Sequence, residues 1–382
     1  MSEQSHDASD AALIEVAIVV HARTQADLLT LERTQLSVEL QEGETPASVD
    51  LDLRVPPSLE ARPVELSAFT PVERVVIDND SPLSIPSRPG WRVERRPVNN
   101  MGAARDFALR SSSTALLAFV DADVELPPNW LRSLQQALRA NPEIWGVASA
   151  NRPPTDETGF HASLALLLGS WLGHLGSSQA WRPRWATKVR HLSTSAAIFR
   201  RDRLLSVGGF NAKFSRVAED LELGVRAAKT GAQFLLLPGP VVVHRQTPQW
   251  RSWSARMFRY GWGQIEVWRV HPREIFSRKL IPLIAAWLGV ALIALSFKQS
   301  SPWPLCYAML IHATLLAASL PRVWTPVGLR ALLLGLITHI SYAAGMWLGQ
   351  WGLVRNRPRN QNSGRDAGRN DAAESTDRGR KV

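Results

Sequence analysis

Cysteine is nearly absent. Cys306 is the single one in 382 residues, which excludes an internal disulfide framework and any site built on clustered thiols. A metal site must therefore draw on Asp, Glu or His. The opening MSEQSHDASD has neither the basic n-region nor the apolar h-region of a secretory leader, so the first domain is expected to stay cytosolic. Before Lys279 no apolar run reaches the roughly 20 residues that a bilayer crossing needs. No internal repeat is evident. Acidic residues are outnumbered by basic ones, giving a net charge of +10 and a pI near 10.5. The Arg and Lys residues concentrate from Arg182 onward with no aromatic and basic RNA-binding motif among them, so nucleic acid is not the expected partner. Anionic lipid headgroups beside apolar segments account for such charge.

Hydrophobic residues make up 45% of the chain, ample for a buried core. IEVAIVV at 14–20 is short, β-branched and apolar, the pattern of a strand covered on both faces. Helical spacing follows at 24–40. A second apolar run at 75–77 stops in Asp78-Asn79-Asp80-Ser81, and a third at 115–120 stops in Asp121-Ala122-Asp123. Strands that alternate with helices and end in polar tips predict a parallel α/β sheet whose ligands gather at the carboxyl ends of the strands. The stretch 47–71, bearing Pro and Glu, has little periodicity and is expected to be a loop or insertion. The apolar 160–175 fits either a buried helix or one lying at a bilayer interface. Three apolar stretches, 280–297, 304–320 and 328–354, are expected to span a membrane, with several of Trp287, Trp303, Trp324, Trp347 and Trp351 placed for interfacial belts. Three crossings from a cytosolic first domain would put Arg355, Arg357 and Arg359 outside, against the positive-inside rule.

Two acidic motifs carry chemistry. Asp121 and Asp123, one residue apart at a strand end, would point the same way in a strand and could hold a hard cation against a diphosphate; acidic pairs there also serve as turn or capping residues. Glu219-Asp220-Leu221-Glu222 opens a helix-like run. First-turn carboxylates commonly serve the helix dipole, which suits Glu222 better than Asp220. Arg256 and Arg259, one helical turn apart, could bind a donor diphosphate, an acceptor phosphate or lipid headgroups, or form a solvated basic face.

The series IDNDS at Ile77, NMGAARD at Asn100, FVDAD at Phe119, SAAIFRRDRLLSVGGF at Ser195, EDLELGVRAAKTGAQFLLLP at Glu219 and VVVH at Val241 resembles, in order, the family-2 glycosyltransferases, over approximately residues 16–263. The resemblance implies a GT-A, Rossmann-like, mostly parallel sheet flanked by helices. On that basis the chain divides into a disordered N-terminus (1–13), a catalytic domain (14–265), a membrane domain of about three transmembrane helices (266–354) and a disordered basic tail (355–382). By likeness Asp78 contacts the nucleotide base, with Asp80 the alternative if the turn is shifted. Arg105 lies near the nucleotide, although Asp106 stands where the family has Asn. Asp121 faces the ribose and metal region, Asp123 ligates the metal, Asp220 is the catalytic base, and His244 either completes the metal shell or is structural.

The implied reaction is an inverting, metal-dependent (Mn or Mg) transfer of a sugar from a nucleotide-diphosphate donor to a hydroxyl of a lipid-linked or saccharide acceptor. Its expected place is the cytosolic face of the cell membrane, in a multi-pass protein in contact with membrane lipids. A processive polysaccharide synthase and a non-catalytic membrane scaffold are the alternatives. His21-Ala22-Arg23 at the end of the first strand departs from the family's turn, as does Gln249 from a Gln-x-x-Arg-Trp motif.

Overall fold

The computed structural model describes residues 14–41, 72–97, 99–154, 159–174, 182–245, 247–274 and 280–352. The expected N-terminal segment, the 47–71 loop and the tail from 355 lie outside these residues.

Nine strands form one sheet. They are β1 (Ile14–Val20), β2 (Val72–Asn79), β3 (Arg92–Arg96), β4 (Leu116–Asp121), β5 (Val124–Glu125), β6 (Ile144–Arg152), β7 (Thr187–Val189), β8 (Ala196–Arg200) and β9 (Gln233–His244). Their order is β3-β2-β1-β4-β8-β6-β9-β5, with β7 also on β9. β1 to β4 run parallel, and β6 and β9 share their direction, because β8 is antiparallel to both of its neighbours, β4 and β6. The sheet is thus mostly parallel, as expected, with β8, β5 and β7 reversed.

The apolar run of β1 is fully buried because both faces are covered. Ile14, Val16, Ile18 and Val20 pack with Leu31 and Val38 of α1 (Gln25–Glu39) and with Trp130 and Leu134 of α3 (Trp130–Ala140). Ala17 and Val19 face the other layer. There they meet Ala104 and Ala108 of α2 (Met101–Ser111), Leu204 of α6 (Arg201–Ser206), and Leu223 and Ala227 of α7 (Glu219–Lys229). Period-2 alternation in one strand therefore feeds both cores of an α/β/α sandwich. Thr24 starts α1 with a capping box, its hydroxyl accepting from the Asp27 amide while the Asp27 carboxylate accepts from the Thr24 amide.

Beyond the sheet, α8 (Trp250–Val270) continues unbroken past residue 265. One face packs on α4 (Gly159–Leu168) and α11 (Pro326–Gln350) through Trp253 and Met257, joined by Phe160, Leu164 and Leu334. Within the run from 160, α4 buries Phe160, His161, Ser163, Leu164 and Leu167, and the short α5 (Trp171–His174) follows. The α8 and α11 backbones touch: a Cβ on Gly261 would lie 2.0 Å from the Tyr342 carbonyl oxygen, and one on Gly345 2.0 Å from that of Phe258. Trp253 Nε1 donates to Thr338 Oγ1 at 2.7 Å.

Of the three expected spans, two helices are long and apolar enough to cross a bilayer, α9 (Ile281–Lys298) and α11. The stretch between them, α10 (Trp303–Ser319), has 17 residues. No residue of α9 is buried.

Candidate active site

The carboxyl ends of β1, β2 and β4 converge with the amino end of α7 and the middle of α8. β4 ends at Asp121, whose amide donates to the Ser195 carbonyl at 2.8 Å. Asp123 does not continue that strand. Ala122 and Asp123 form a turn into β5, which pairs with β9 so that Val124 lies opposite His244. The turn is pinned on two sides: Thr34 Oγ1 donates to the Ala122 carbonyl at 2.9 Å, and the Arg245 amide donates to the Asp123 carbonyl at 2.7 Å. The Arg245 guanidinium pairs with Glu125. His244 Nε2 consequently sits 3.2 Å from Asp123 Oδ1.

One ligand atom each from Asp121, Asp123 and His244 lies within 4.8 Å of the others. Two ligands on opposite sides of a cation with bonds of about 2.1 Å are ~4.2 Å apart, so a small inward movement would place all three on one ion. Two carboxylates and an imidazole can hold a divalent cation, the carboxylates suiting Mn or Mg and the imidazole the softer transition metals. Burial raises the Asp123 carboxyl, but the charge and hydrogen bond of His244, followed by Arg256, outweigh it and hold the group below its ordinary value. Asp123 is thus kept ionised, the form a metal ligand requires.

Asp220 lies in the first turn of α7. The preceding Ala218 has a left-handed backbone (φ 67°) and no side-chain cap, and Asp220 Oδ1 accepts from the Leu221 amide at 2.7 Å. Burial pushes its carboxyl above the ordinary value; Arg105 and the Leu221 amide pull it down, Asp121 adds to the rise, and the Thr194 amide opposes it. Asp220 and Asp121 are therefore electrostatic neighbours although 99 positions separate them in the sequence. Arg105 is the strut between these elements. Buried in α2, it donates to Asp121 Oδ1 at 2.7 Å and pairs with Glu219.

Asp78, 3% exposed, accepts from the Ser81 amide at 2.8 Å and faces Arg95 at 3.6 Å. Asp80 occupies the left-handed region (φ 58°) of that turn. The ends of β1 and β2 are laced together by hydrogen bonds from His21 to the Asn79 carbonyl at 2.8 Å and from the Ala22 amide to Ser81 Oγ at 2.9 Å. Asp106, the departure from the family's Asn, accepts from the Phe210 amide at 2.9 Å and from Arg110 at 2.7 Å, tying α2 to the Gly208-Gly209 turn.

Glu219 as a partner of Arg105, and Tyr260, carried no assigned role in the sequence reading, and Arg256 carried only a choice of anions. Glu219 neutralises Arg105. Arg256 faces Asp123 and Asp121 and is hydrogen-bonded to Tyr260. The Tyr260 phenol is raised by burial, lowered by Arg256 and raised again by the charges of Asp121, Asp220 and Asp123. The only signal for Arg256 and Tyr260 was their helical spacing.

Comparison with known proteins agrees with this fold. A model of glycosyl transferase family group 2 matches residues 118–348, more than half of the chain. Pre-mycofactocin glycosyltransferase of Mycobacterium tuberculosis is 30% identical over 199 residues, covering 50% of this chain and 38% of the relative. The O-antigen biosynthesis protein RfbC of Myxococcus xanthus is 26% identical over 167 residues, covering 40% and 12%. The chain thus spans well under half the length of the curated relatives it matches. A mannosyltransferase from Pyrobaculum calidifontis, solved in complex with GDP-Man and Mn2+, superposes with a TM-score of 0.52 at 18% identity over 86% of each chain, a likeness of fold. On the match over residues 118–348, the chain belongs to glycosyl transferase family group 2.

Proposed function

We propose that the chain transfers a sugar from a nucleotide-diphosphate donor to an acceptor hydroxyl, with inversion, using Asp121, Asp123 and His244 to hold a divalent cation and Asp220 as the base. The observation that carries this reading is the meeting of a three-ligand cluster and a carboxyl of raised proton affinity at the same strand ends. The mannosyltransferase of like fold was solved with a nucleotide sugar and Mn2+. When bound, the cation supplies positive charge beside the departing diphosphate. Arg256, which already faces Asp121 and Asp123, adds a fixed positive charge on the same side. Asp78 and the laced ends of β1 and β2 form the floor on which the base and ribose would rest.

An acceptor hydroxyl is a weak nucleophile until a neighbouring group takes its proton. Asp220 suits that role because its raised proton affinity brings it closer to the hydroxyl's needs than an ordinary carboxylate would be. Arg105, held by Glu219 and Asp121, opposes that rise. One base and one displacement on the opposite face of the sugar invert the anomeric centre.

The reaction is placed at the cytosolic membrane face. α9 and α11 are the candidate crossings, and α8 joins α11 to the site. Two crossings would satisfy the positive-inside rule that three would break. Two crossings also favour a single transfer over a polymer channel.

A screen of nucleotide sugars with the purified full chain in neutral micelles tests the proposal. One donor should be consumed only with Mn2+ or Mg2+ present, and Asp123→Ala should abolish that consumption. Donor turnover that is indifferent to chelator would sink it.

A further inference from the structure

Two helices bring the proposed chemistry to the cleft from different sides. α7 carries Asp220 in its first turn, and α8 carries Arg256 and Tyr260. Where the base stands therefore depends on what joins these helices. Contacts join them on both sides of Asp220. Before α7, Gly263 lies so close to the loop that a Cβ on it would stand 2.8 Å from Val217 Cγ2 and 3.1 Å from Ala218 Cβ. Beyond Asp220, the buried Glu222 places Oε1 3.1 Å from Nε2 of His271, itself only 10% exposed. His271 ends α8, its amide donating to the Val267 carbonyl at 2.8 Å.

The bond between Glu222 and His271 has a fixed direction. Lys229 Nζ lies 3.0 Å from His271 Nδ1, and an ammonium group only donates, so Nδ1 accepts and the ring proton stands on Nε2, facing the carboxylate. Glu222 is also held from its own helix. Arg226 Nε and Nη2 donate to its two oxygens at 2.8 Å each. The same guanidinium donates to the Gly209 carbonyl at 2.6 Å and to that of Val207, tying in the turn that precedes the loop. Burial raises the Glu222 carboxyl, but the bonds and charge of Arg226, then those of His271, outweigh it and hold the group below its ordinary value. Glu222 is thus kept ionised, the form that accepts all three bonds. Service to the helix dipole, the role its position alone suggests, needs neither a buried carboxylate nor a partner on another helix.

We propose that Glu222 and His271 are positioning residues for the transfer: their bond locks the first turn of α7 to the end of α8 and so sets where Asp220 stands relative to the metal ligands and the acceptor. The role in transfer rests on the reading of Asp220 as the base, whereas the lock rests on the bonds alone. α8 also seats on α11 through Gly261 and Gly345, so the turn that bears the base leans on the same element as a candidate membrane crossing.

The test compares wild type, His271→Ala, His271→Asn and His271→Gln, each as the full chain in neutral micelles, by hydrogen exchange with mass spectrometry and by steady-state turnover of the donor found in the screen above. The glutamine amide is long enough to donate to Glu222 as Nε2 does; the asparagine amide is not. In the alanine and asparagine variants the amides of Glu222, Leu223 and Gly224 should exchange about tenfold faster, the factor that one hydrogen bond to a charged group supplies. Their kcat should fall on the order of tenfold, since a misplacement of about 1 Å can cost about 10²-fold. The donor KM should not change, because the residues proposed to hold the donor stand on other elements. His271→Gln should return both exchange and kcat toward wild type, and the asparagine variant gives the answer if the alanine variant does not fold.

Unchanged exchange in the alanine and asparagine variants overturns the lock. Faster exchange with unchanged kcat overturns the positioning role, because the bond would then serve the fold alone. A fall in kcat that glutamine does not reverse overturns it as well. If the wild type consumes no nucleotide sugar, the transferase reading fails and the role in transfer with it, while exchange still decides whether the bond holds α7.

Discussion

Asp220→Asn separates the chemical role of this carboxyl from its structural cost. The change keeps the side-chain shape and leaves an oxygen to accept from the Leu221 amide, so α7 should form unchanged. It removes the proton acceptor. General-base catalysis contributes about 10²- to 10⁴-fold, so the transfer rate should fall by that factor, equivalent to roughly 3–5.5 kcal/mol of barrier.

Stability should move the other way. The folded carboxyl has its proton affinity raised, first by burial and then by Asp121. For an acid so shifted, the associated stability is fully present below the unfolded pKa of about 3.9 and is lost as pH rises through the folded value. At pH 7, above the unfolded value, the wild type carries the cost of the burial that raises the Asp220 carboxyl, and the amide does not. Thermal melts with chelator should therefore show Asp220→Asn melting above wild type at pH 7, with the difference shrinking as the pH is lowered toward 4. Wild-type turnover should fall on the acid side at a pH above that of an ordinary carboxylate. A variant that keeps its rate within a few-fold of wild type, or that melts lower at pH 7, refutes the role assigned to this residue.

The other expectations concern the frame. Gly261→Ala places a methyl 2.0 Å from a backbone oxygen of α11; overpacking of about 1–3 kcal/mol should exceed the ~1 kcal/mol helix-propensity gain, and a raised melting temperature would contradict the close approach. Glu219→Gln leaves Arg105 compensated by Asp121 alone, and a denaturant midpoint lower by the equivalent of about 1–3 kcal/mol is expected. Asp106→Ala orphans the Phe210 amide and frees Arg110; a stability loss of about 1–2 kcal/mol is expected, with the donor KM unchanged if the residue only ties α2 to the glycine turn.

Much of the fold was legible because it is written in local pattern. The apolar runs of β1, β2 and β4 and their polar tips stood in the sequence at the positions the strands occupy. Strand direction was not legible: AAIFR in β8 reads the same whichever way it runs, and its reversal between β4 and β6 depends on the path of the chain through α4, α5 and β7. Asp121 and Asp123 were visible as a pair, but strand alternation is not what joins them. They converge through a turn held by Thr34 and by the β5–β9 ladder, contacts across 88 and 120 positions. Arg105 and Glu219 are as distant, so their pairing had no local signature. Arg256 and Tyr260 showed only helical spacing, which gives a shared face but not what the face meets. α10 is apolar like its neighbours but, at 17 residues, shorter than α9 and α11.

The most direct test of the central claim is Mn2+ binding to the full chain, followed by the electron paramagnetic resonance signal of the free ion. One site per chain is expected, weakened at least tenfold by Asp123→Ala and by His244→Ala and left intact by Asp106→Ala. Equal Mn2+ binding in wild type, Asp123→Ala and His244→Ala would contradict it.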